Sequence, residues 1–425
     1  MSVDPAAAQG LLAGAPEPTR SASGGPADAL AAEGVRSRLG SWCGWVMVGA
    51  AVLIPLIGWL SPLGFAPLVA LMGLLCLPAF RIKAKDRPIV ITLGVAIAWA
   101  AASLLWGAFK STGAGHSVLM EVSLALPLYW SAICGARRAD PRLNALALRI
   151  LSVGLAAHAA LLLIDVYLGA ELFRTLHQAF YEPILPILAK LKLAQTTYVL
   201  AALGAVVLLG ALRNWRSLAL LGLVVLCVMI AADAFFAAAP LLAVPFSGAV
   251  FLIVRRWPRG GPRWLAIGVA ATSFAMPWVV LGVRDSGQYD WIERILPDSW
   301  SARMSYWSHA LDHILARPWL GWGLDASRHM GPGIVLHPHN EALQIWLELG
   351  LPGAAAVAVL WFLAFRRLER EAPSAPAAAA AAAGVAFVLF AWANFGIWQQ
   401  WWLAFGALLV VLAAMVESRA SIARA

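Results

Sequence analysis

Twelve runs of mostly apolar residues constrain the fold of this 425-residue chain more than any other feature. A helix needs about 20 such residues to cross the hydrocarbon core of a bilayer. The chain is 61% hydrophobic and only 12% charged, whereas about 25% of the residues in a soluble domain are charged. The sequence therefore predicts an all-α polytopic membrane protein with about 12 transmembrane helices. We place them at 42–60, 62–80, 88–108, 117–136, 149–168, 195–212, 217–232, 234–254, 264–283, 341–365, 376–395 and 399–416.

Basic residues cluster in alternate connections between these runs. They are Arg81, Lys83, Lys85 and Arg87; Arg137, Arg138 and Arg142; Arg213 and Arg216; Arg255, Arg256, Arg259 and Arg263; and Arg366, Arg367 and Arg370; the tails add Arg36, Arg38, Arg419 and Arg424. Twelve spans place all of these residues, and both termini, on one side of the membrane. The positive-inside rule makes that side cytoplasmic. Topology thus accounts for the formal net charge of +9, and we expect no nucleic-acid binding.

The runs divide the chain into five regions. Residues 1–40 are rich in Ala, Gly, Pro and Ser and lack the pattern of a signal peptide, so we expect a disordered cytoplasmic tail. Residues 41–283 carry transmembrane helices 1–9 and a smaller periplasmic loop at 169–194. Residues 284–340 form a large periplasmic loop between helices 9 and 10. Helices 10–12 follow in 341–416, and 417–425 is a cytoplasmic tail.

The large loop is too long and too polar for a simple connector. It holds five arginines, six acidic residues and five of the eight histidines. Apolar residues between Ser301 and Ile314 recur at helical spacing, which predicts that the loop is partly helical. Its tryptophans, Trp300 and Trp307 among them, fit an interfacial belt or ordinary packing, and they could also contact sugar rings or an isoprenoid chain.

Four polar residues stand at the end of this loop, directly before an apolar run: His337, His339, Asn340 and Glu341. Ionisable groups near a bilayer are costly and need a reason. His339 is a candidate proton acceptor, because histidine titrates near neutral pH; it could equally cap the next helix together with Asn340. His337 could be its partner, a substrate contact or a plain loop residue.

A metal site is a further alternative for the two histidines. Glu341, Asp325 or His329 could supply the additional ligands, but no HExxH or comparable ligand spacing is present. We therefore predict no metal. The sequence also lacks a nucleotide fingerprint and a hydrolase nucleophile elbow, so we predict no cofactor.

Cations in the two outer loops are candidates for binding a phosphorylated substrate, since the arginine fork matches paired phosphate oxygens. The candidates are Arg303, which lies among aromatic residues, then Arg284 and Arg294, and in the smaller loop Arg174, Lys190 and Lys192. Each one alone also fits a solvated or headgroup-facing charge. We expect at least two of them to converge on the site. Gly321, Gly323, Gly350 and Gly353 are interpreted as turns and helix ends.

The order of these motifs resembles the shared core of the O-antigen ligase and O-antigen polymerase superfamily. The sequence P-W-L-G-W-G-L-D occupies 318–325, H-N occupies 339–340, nine residues follow, and G-L-P-G occupies 350–353. The histidine, the amide, the nine-residue gap and the G-x-x-G spacing are similar to the ligase signature. The twelve-span layout with one large late outer loop is also similar, so the resemblance covers most of the chain.

The resemblance implies glycan transfer from undecaprenyl pyrophosphate to a sugar hydroxyl of lipid A-core, in lipopolysaccharide biosynthesis. Such a protein lies in the bacterial inner membrane, and its site faces the periplasm and needs no nucleotide or metal. We expect His339 to activate the acceptor hydroxyl in one inverting step, with Asn340 and Glu341 orienting it or the sugar. Arg303 is the leading pyrophosphate contact.

Other readings stay open. The same chemistry would serve an O-antigen polymerase or a protein O-oligosaccharyltransferase. A transporter of lipids or small molecules is the alternative from a different class, and it would use ionisable residues inside the spans, for which Glu121, Asp165 and Glu348 are the candidates.

Overall fold

The computed structural model describes residues 26–109, 113–211, 214–295 and 298–422. The described residues are mostly helical and contain no β-strand. Residues 1–25, Arg213 and Arg424, for which the sequence made predictions, lie outside these ranges. The helices are α1 Pro26–Leu60, α2 Phe65–Leu75, α3 Arg87–Ser103, α4 Ala114–Arg138, α5 Pro141–Tyr167, α6 Glu171–Gln178, α7 Pro186–Gly210, α8 Trp215–Ala234, α9 Ala238–Arg256, α10 Gly260–Asp285, α11 Tyr289–Ile295, α12 Asp298–Ala316, α13 Glu341–Arg366, α14 Ala375–Ala393 and α15 Gln400–Ile422.

The region predicted as a cytoplasmic tail includes the start of α1. By its internal contacts the chain divides into two units, the first ending at Arg38 and the second, compact one beginning at Leu39. Within the first unit the described residues are helical from Pro26 onward. Alanine, leucine and glutamate dominate residues 27–33, and these are strong helix formers that a proline can begin.

Eleven of the described helices are long and apolar enough to cross a membrane, in agreement with a polytopic all-α fold. The exception among the predicted spans is 62–80, where the apolar helix is short, Pro62–Leu75. Pro62 and Pro78 lie in 3₁₀ turns at its two ends, since proline does not continue a helix. The short helix still returns the chain to the side where the first span begins, because the Trp42 indole donates to the Leu75 carbonyl over 2.8 Å.

The predicted basic connections meet on one side of the bundle. Asp86, before α3, is buried and accepts hydrogen bonds from Arg137 at the end of α4 and from Arg367 after α13, each over 3.0 Å. Arg370 pairs with Glu417 of α15 over 2.7 Å. These connections and the end of α15 therefore lie on one side of the bundle.

The alanine-rich helix α14 lies at the centre of the compact unit. It packs against α7 and α9, and its alanines from Ala377 to Ala379 and from Ala381 to Ala383 are buried. Small residues allow such close helix packing inside a membrane. The helix ends at Ala393, and its end carries Asn394 to the outer side.

The large outer loop contains α11 and α12, as its spacing predicted. Met304, Ala310, Leu311 and Ile314 of α12 are all buried, and α12 packs against α10 and α13. Because this apolar stripe is buried, the opposite face of α12 carries the polar residues.

Helix α13 is broken rather than straight. Gly350 has φ +62° and ψ −159°, which are not helical angles. In a continuous helix residues 341 and 361 would be about 30 Å apart, yet the Glu341 carboxyl group contacts the Trp361 side chain. The segment before Gly350 therefore turns back beside the segment after it, and the predicted span 341–365 is two helical pieces.

Candidate active site

His339 lies directly before α13, in a left-handed conformation with φ +54°. Its Nδ1 is 2.9 Å from the Asn394 carbonyl oxygen, and its ring stacks on Tyr306 at a centroid distance of 5.8 Å. A carbonyl oxygen only accepts, so the neutral ring carries its proton on Nδ1 and donates it to Asn394. Nε2 then presents a lone pair, and no described residue donates a hydrogen bond to it.

The surroundings of His339 keep it neutral. Burial lowers its pKa, the hydrogen bond to Asn394 opposes this, and the positive charge of Arg303 lowers the pKa further. The net direction is below the usual value of about 6.5. The imidazole is therefore able to take a proton at neutral pH, as a general base requires.

His337 supports His339 rather than duplicating it. The His337 Nδ1 accepts a hydrogen bond from the His339 backbone N–H over 3.0 Å. Its Nε2 lies 3.0 Å from the side-chain amide of Gln399. Burial, with the nearby charges of His339 and Arg328, lowers the pKa of His337 to about 3. His337 is thus neutral at neutral pH, and it accepts the hydrogen bond that holds the unusual backbone conformation of His339.

Asn340 and Glu341 have different surroundings. The Asn340 side chain caps α13 by accepting from the Leu343 N–H over 3.1 Å, so the capping role that the sequence left open belongs to Asn340. Glu341 is 3% exposed; it contacts Trp361, and its Oε2 has no partner among the described residues. No contact with His339 is seen for the Glu341 carboxyl group.

Arg303 of α12 is the predicted cation that the structure places beside His339. It is half-buried, with its guanidinium 5.4 Å from the centroid of Trp300. Burial lowers the pKa of Arg303, and the nearby Tyr198 partly offsets this, but an arginine stays charged. No carboxylate of the described residues pairs with it. A half-buried cation without a counter-ion is a ready site for an anion.

The remaining predicted cations do not converge on His339 in the described structure. Arg284 pairs with Asp312 over 2.7 Å, and Arg174 pairs with Glu171 in the smaller loop. Arg294 is exposed on α11. Lys190 and Lys192 are half-buried on the first turns of α7. A role for these five in substrate binding stays a prediction, and we rank the two carboxylate-paired arginines below Arg303.

The motif glycines allow backbones to approach closely. A Cβ on Gly321 would lie 2.4 Å from the Glu348 carbonyl oxygen, and one on Gly350 would lie 2.4 Å from the Trp319 carbonyl oxygen. Both glycines have positive φ. The Gly323 N–H donates to the Glu348 carbonyl over 2.8 Å, which caps the broken helix. Gly321, Gly323 and Gly350 thus all have the positive φ that glycine adopts most readily.

The fourth motif glycine, Gly353, lies just beyond the break. A Cβ there would be 2.3 Å from the Leu349 Cβ. This spacing is far shorter than that of neighbouring turns in a regular helix, so a larger residue would force the bend at Gly350 to open.

Glu348 is the polar centre of this region. Its carboxylate is fully buried and accepts from the Asp325 N–H, the Ser327 hydroxyl, the Gln344 amide and the Trp398 indole, over 2.5 to 3.0 Å. Asp165 similarly accepts from the Phe173 N–H and the Trp59 indole. Glu121 is exposed. Glu348 and Asp165 thus bind backbone and side-chain donors of neighbouring segments.

An apolar cavity of about 420 Å³ lies next to the site. It is bounded by α9, α10, α11, α12 and α14, and it reaches Asn340. Trp300 and Trp307 are among its lining residues, so these tryptophans face a space that an isoprenoid chain could fill. Among the described residues there is no group of three or more His, Cys, Asp or Glu that could hold a metal ion.

Sequence reasoning missed four residues of this site: Tyr306 and Asn394, which contact His339, Gln399, which contacts His337, and Tyr198, which contacts Asn394. The signal that could have found two of them is the short polar stretch Asn394–Gln400, which separates the last two apolar runs on the outer side. Tyr198 lies inside an apolar run and carries no comparable signal.

The fold and the site define a polytopic helical membrane protein with a buried histidine and, beside an apolar cavity, an arginine that pairs with no carboxylate described in the structure. A family model described as O-antigen ligase matches residues 187–358, a segment that contains Arg303 and His339. This segment of the chain is therefore similar to the O-antigen ligase family.

Three rickettsial proteins, provisionally named polysaccharide ligases, are similar to this chain. The protein of Rickettsia conorii is 24% identical over 190 residues, which are 41% of this chain and 46% of the relative. That of Rickettsia prowazekii is 27% identical over 124 residues, 26% and 31% of the two chains. That of Rickettsia typhi is 23% identical over 181 residues, 39% and 44%. The match thus spans less than half the length of each of these relatives.

Proposed function

We propose that this protein is an O-antigen ligase that transfers a glycan from undecaprenyl pyrophosphate to a sugar hydroxyl of lipid A-core. The family and the names of the relatives support a polysaccharide ligase-type activity. The observation that carries the proposal is the geometry of His339: the Asn394 carbonyl engages its Nδ1, its Nε2 accepts from no residue that the structure describes, and the charge of Arg303 acts on the ring. His339 would supply the base, and Arg303 the cation for the leaving group, that transfer from a lipid pyrophosphate requires.

The reaction is a single displacement at the anomeric carbon. The His339 Nε2 takes the proton of the acceptor hydroxyl as the acceptor oxygen forms its bond to that carbon. The bond between the anomeric carbon and the pyrophosphate oxygen breaks, and its electron pair leaves with undecaprenyl pyrophosphate. Arg303 stabilises the negative charge that develops there. One step on the opposite face of the sugar inverts the anomeric configuration.

The apolar cavity provides a place for the lipid of the donor. Its lining is mostly aliphatic and aromatic, with Asn340 at one point. We propose that it holds the isoprenoid units nearest the pyrophosphate, which places the reacting carbon near His339. Each CH₂ group buried there would contribute about 0.8 kcal/mol.

The orientation follows from the charges. We propose that the side carrying Asp86, Arg137 and Arg367 is cytoplasmic, as the positive-inside rule requires, in the bacterial inner membrane. The site then faces the periplasm, and both termini are cytoplasmic. Pyrophosphate is already a good leaving group, so the proposed reaction uses neither a nucleotide nor a metal.

The test is reconstitution in liposomes with undecaprenyl pyrophosphate-linked glycan and lipid A-core, with and without EDTA. The proposal predicts glycosylated lipid A-core at the same rate in both. Longer lipid-linked chains without modified lipid A-core would identify a polymerase instead, and glycan on an added protein acceptor would identify a protein O-oligosaccharyltransferase. Loss of transfer with EDTA would contradict the metal-independent mechanism.

A matched pair of arginine variants tests the anion site. Arg303→Gln removes the cation without a carboxylate partner, and we expect a fall in kcat of about 100-fold or more, as for other groups that stabilise a leaving charge. Arg284→Gln, whose native residue is paired with Asp312, should stay within a few-fold of wild type. Equal effects of the two changes would contradict the role given to Arg303.

A further inference from the structure

Asn394, which follows α14, connects His339 to a buried tyrosine. Its carbonyl oxygen accepts from the His339 Nδ1, and its own N–H donates to the Phe390 carbonyl over 2.9 Å. Its side-chain Oδ1 accepts from the Tyr198 hydroxyl over 3.1 Å. The residue is 7% exposed. One residue thus joins the histidine ring, the end of α14 and helix α7.

Tyr198 is held firmly enough to serve as an anchor. It is 6% exposed, and its ring meets Phe390 and Phe395 edge-on at centroid distances of 4.8 and 5.3 Å. Its side chain also interacts electrostatically with Arg303. The hydroxyl therefore lies between the arginine proposed to bind pyrophosphate and the residue that holds the proposed base.

This arrangement leaves one buried hydrogen-bond donor of Asn394 unsatisfied within the described part of the chain. Its Nδ2 is buried and has no hydrogen-bond partner among the described residues. An unsatisfied buried donor destabilises a fold, and an apolar residue of similar size would avoid it. Packing alone therefore does not explain an asparagine at this position, whereas the bond to Tyr198 does.

We propose that Tyr198 and Asn394 are positioning residues that fix the tautomer of His339. The Tyr198 hydroxyl holds the Asn394 side chain, and this keeps the Asn394 carbonyl in line with the His339 Nδ1. The proton then stays on Nδ1, and Nε2 stays free for the acceptor hydroxyl. The inference rests on the proposed function for its effect on turnover, but its effect on the histidine is independent of activity.

The first test compares Tyr198→Phe with a matched control, Tyr129→Phe. Tyr129 is also buried, at 3% exposure, but it lies in α4. In the reconstituted assay we expect Tyr198→Phe to lower kcat about three- to tenfold, the range for loss of one hydrogen bond. The KM values for donor and acceptor should not change, because in this proposal Tyr198 acts through Asn394 and His339 and not through a substrate contact. Tyr129→Phe should match wild type in both parameters.

The second test reads the tautomer directly. Nitrogen-15 NMR of the histidine-labelled full chain in detergent, with the His339 signals assigned from the His339→Gln spectrum, distinguishes a proton on Nδ1 from one on Nε2. Wild type should show the Nδ1–H form, and Tyr198→Phe should show a mixture. Asn394→Leu, which removes the side-chain acceptor but keeps the main-chain carbonyl, should give the same mixture.

The outcomes separate the two proposals. An unchanged tautomer and an unchanged kcat in Tyr198→Phe would overturn the positioning role and leave the ligase proposal intact. A wild type that transfers no glycan would overturn the ligase proposal, while the NMR comparison would still decide the positioning role. In a His339→Gln background, Tyr198→Phe should cause no further loss of the residual rate; a further loss would show that Tyr198 does not act through His339.

Discussion

Glu348 offers a prediction whose size can be worked out from the structure. Its two carboxylate oxygens each accept from two donors: Oε1 from Ser327 and Gln344, and Oε2 from Trp398 and the Asp325 N–H. Glu348→Gln keeps the shape but replaces one oxygen with an amide nitrogen. Two of the four buried donors then lose their acceptor, and each loss costs about 1–3 kcal/mol. We therefore expect the free energy of unfolding to fall by about 2–6 kcal/mol.

The assay is thermal unfolding in detergent, followed by tryptophan fluorescence, with Glu121→Gln as the control. Glu121 is exposed on α4, so its substitution should leave the unfolding temperature near the wild-type value. Glu348→Gln should unfold several degrees lower. Equal unfolding temperatures for the two variants would refute the view that Glu348 holds the loop and the broken helix together.

Three further predictions concern the base, the helix break and the cavity. Because burial lowers the pKa of His339, the transfer rate should be constant at neutral pH and fall only as the pH drops below about 6.5. A profile of kcat against pH measures this. A fall that begins above pH 7 would contradict the prediction. Gly350→Ala should destabilise the protein by about 1–3 kcal/mol or more, because φ is +62° and the new Cβ would lie 2.4 Å from a backbone oxygen. The control, Gly94→Ala, has open space around it and should be neutral in the same thermal assay. Val279→Trp, which fills the cavity, should raise the KM for the donor several-fold, and Val359→Trp, at another exposed position, should not; equal KM values would exclude the cavity as the lipid site.

Much of the fold could be predicted because it depends on local sequence. Apolar length located the spans, and the spacing from Met304 to Ile314 located α12. The short helix α2 was missed because the run 62–80 is apolar throughout, and only Pro62 and Pro78 limit it. Likewise, the apolar run 341–365 was interpreted as one span, although the motif glycine at 350 had been recognised as a helix end.

The site could be predicted only where its residues are close in sequence. The cluster at 337–341 was found because four polar residues stand together before an apolar run. The partners of His339 come from α12 and the segment after α14, and one sequence contains no information on which segments are neighbours. The same limit applies to Arg284, which the sequence analysis treated as a candidate phosphate-binding cation. Its partner Asp312 is 28 residues away in the sequence, so the pairing could not be predicted.

The most direct measurement is the rate of glycan transfer to lipid A-core by His339→Gln, compared with His309→Gln in the same liposomes. His309 is exposed on α12 in the same outer loop, so its substitution should leave the rate near wild type. Loss of a general base should lower the His339→Gln rate by about 10²- to 10⁴-fold, in a protein that unfolds at the wild-type temperature. A folded His339→Gln variant with nearly full activity would contradict the account.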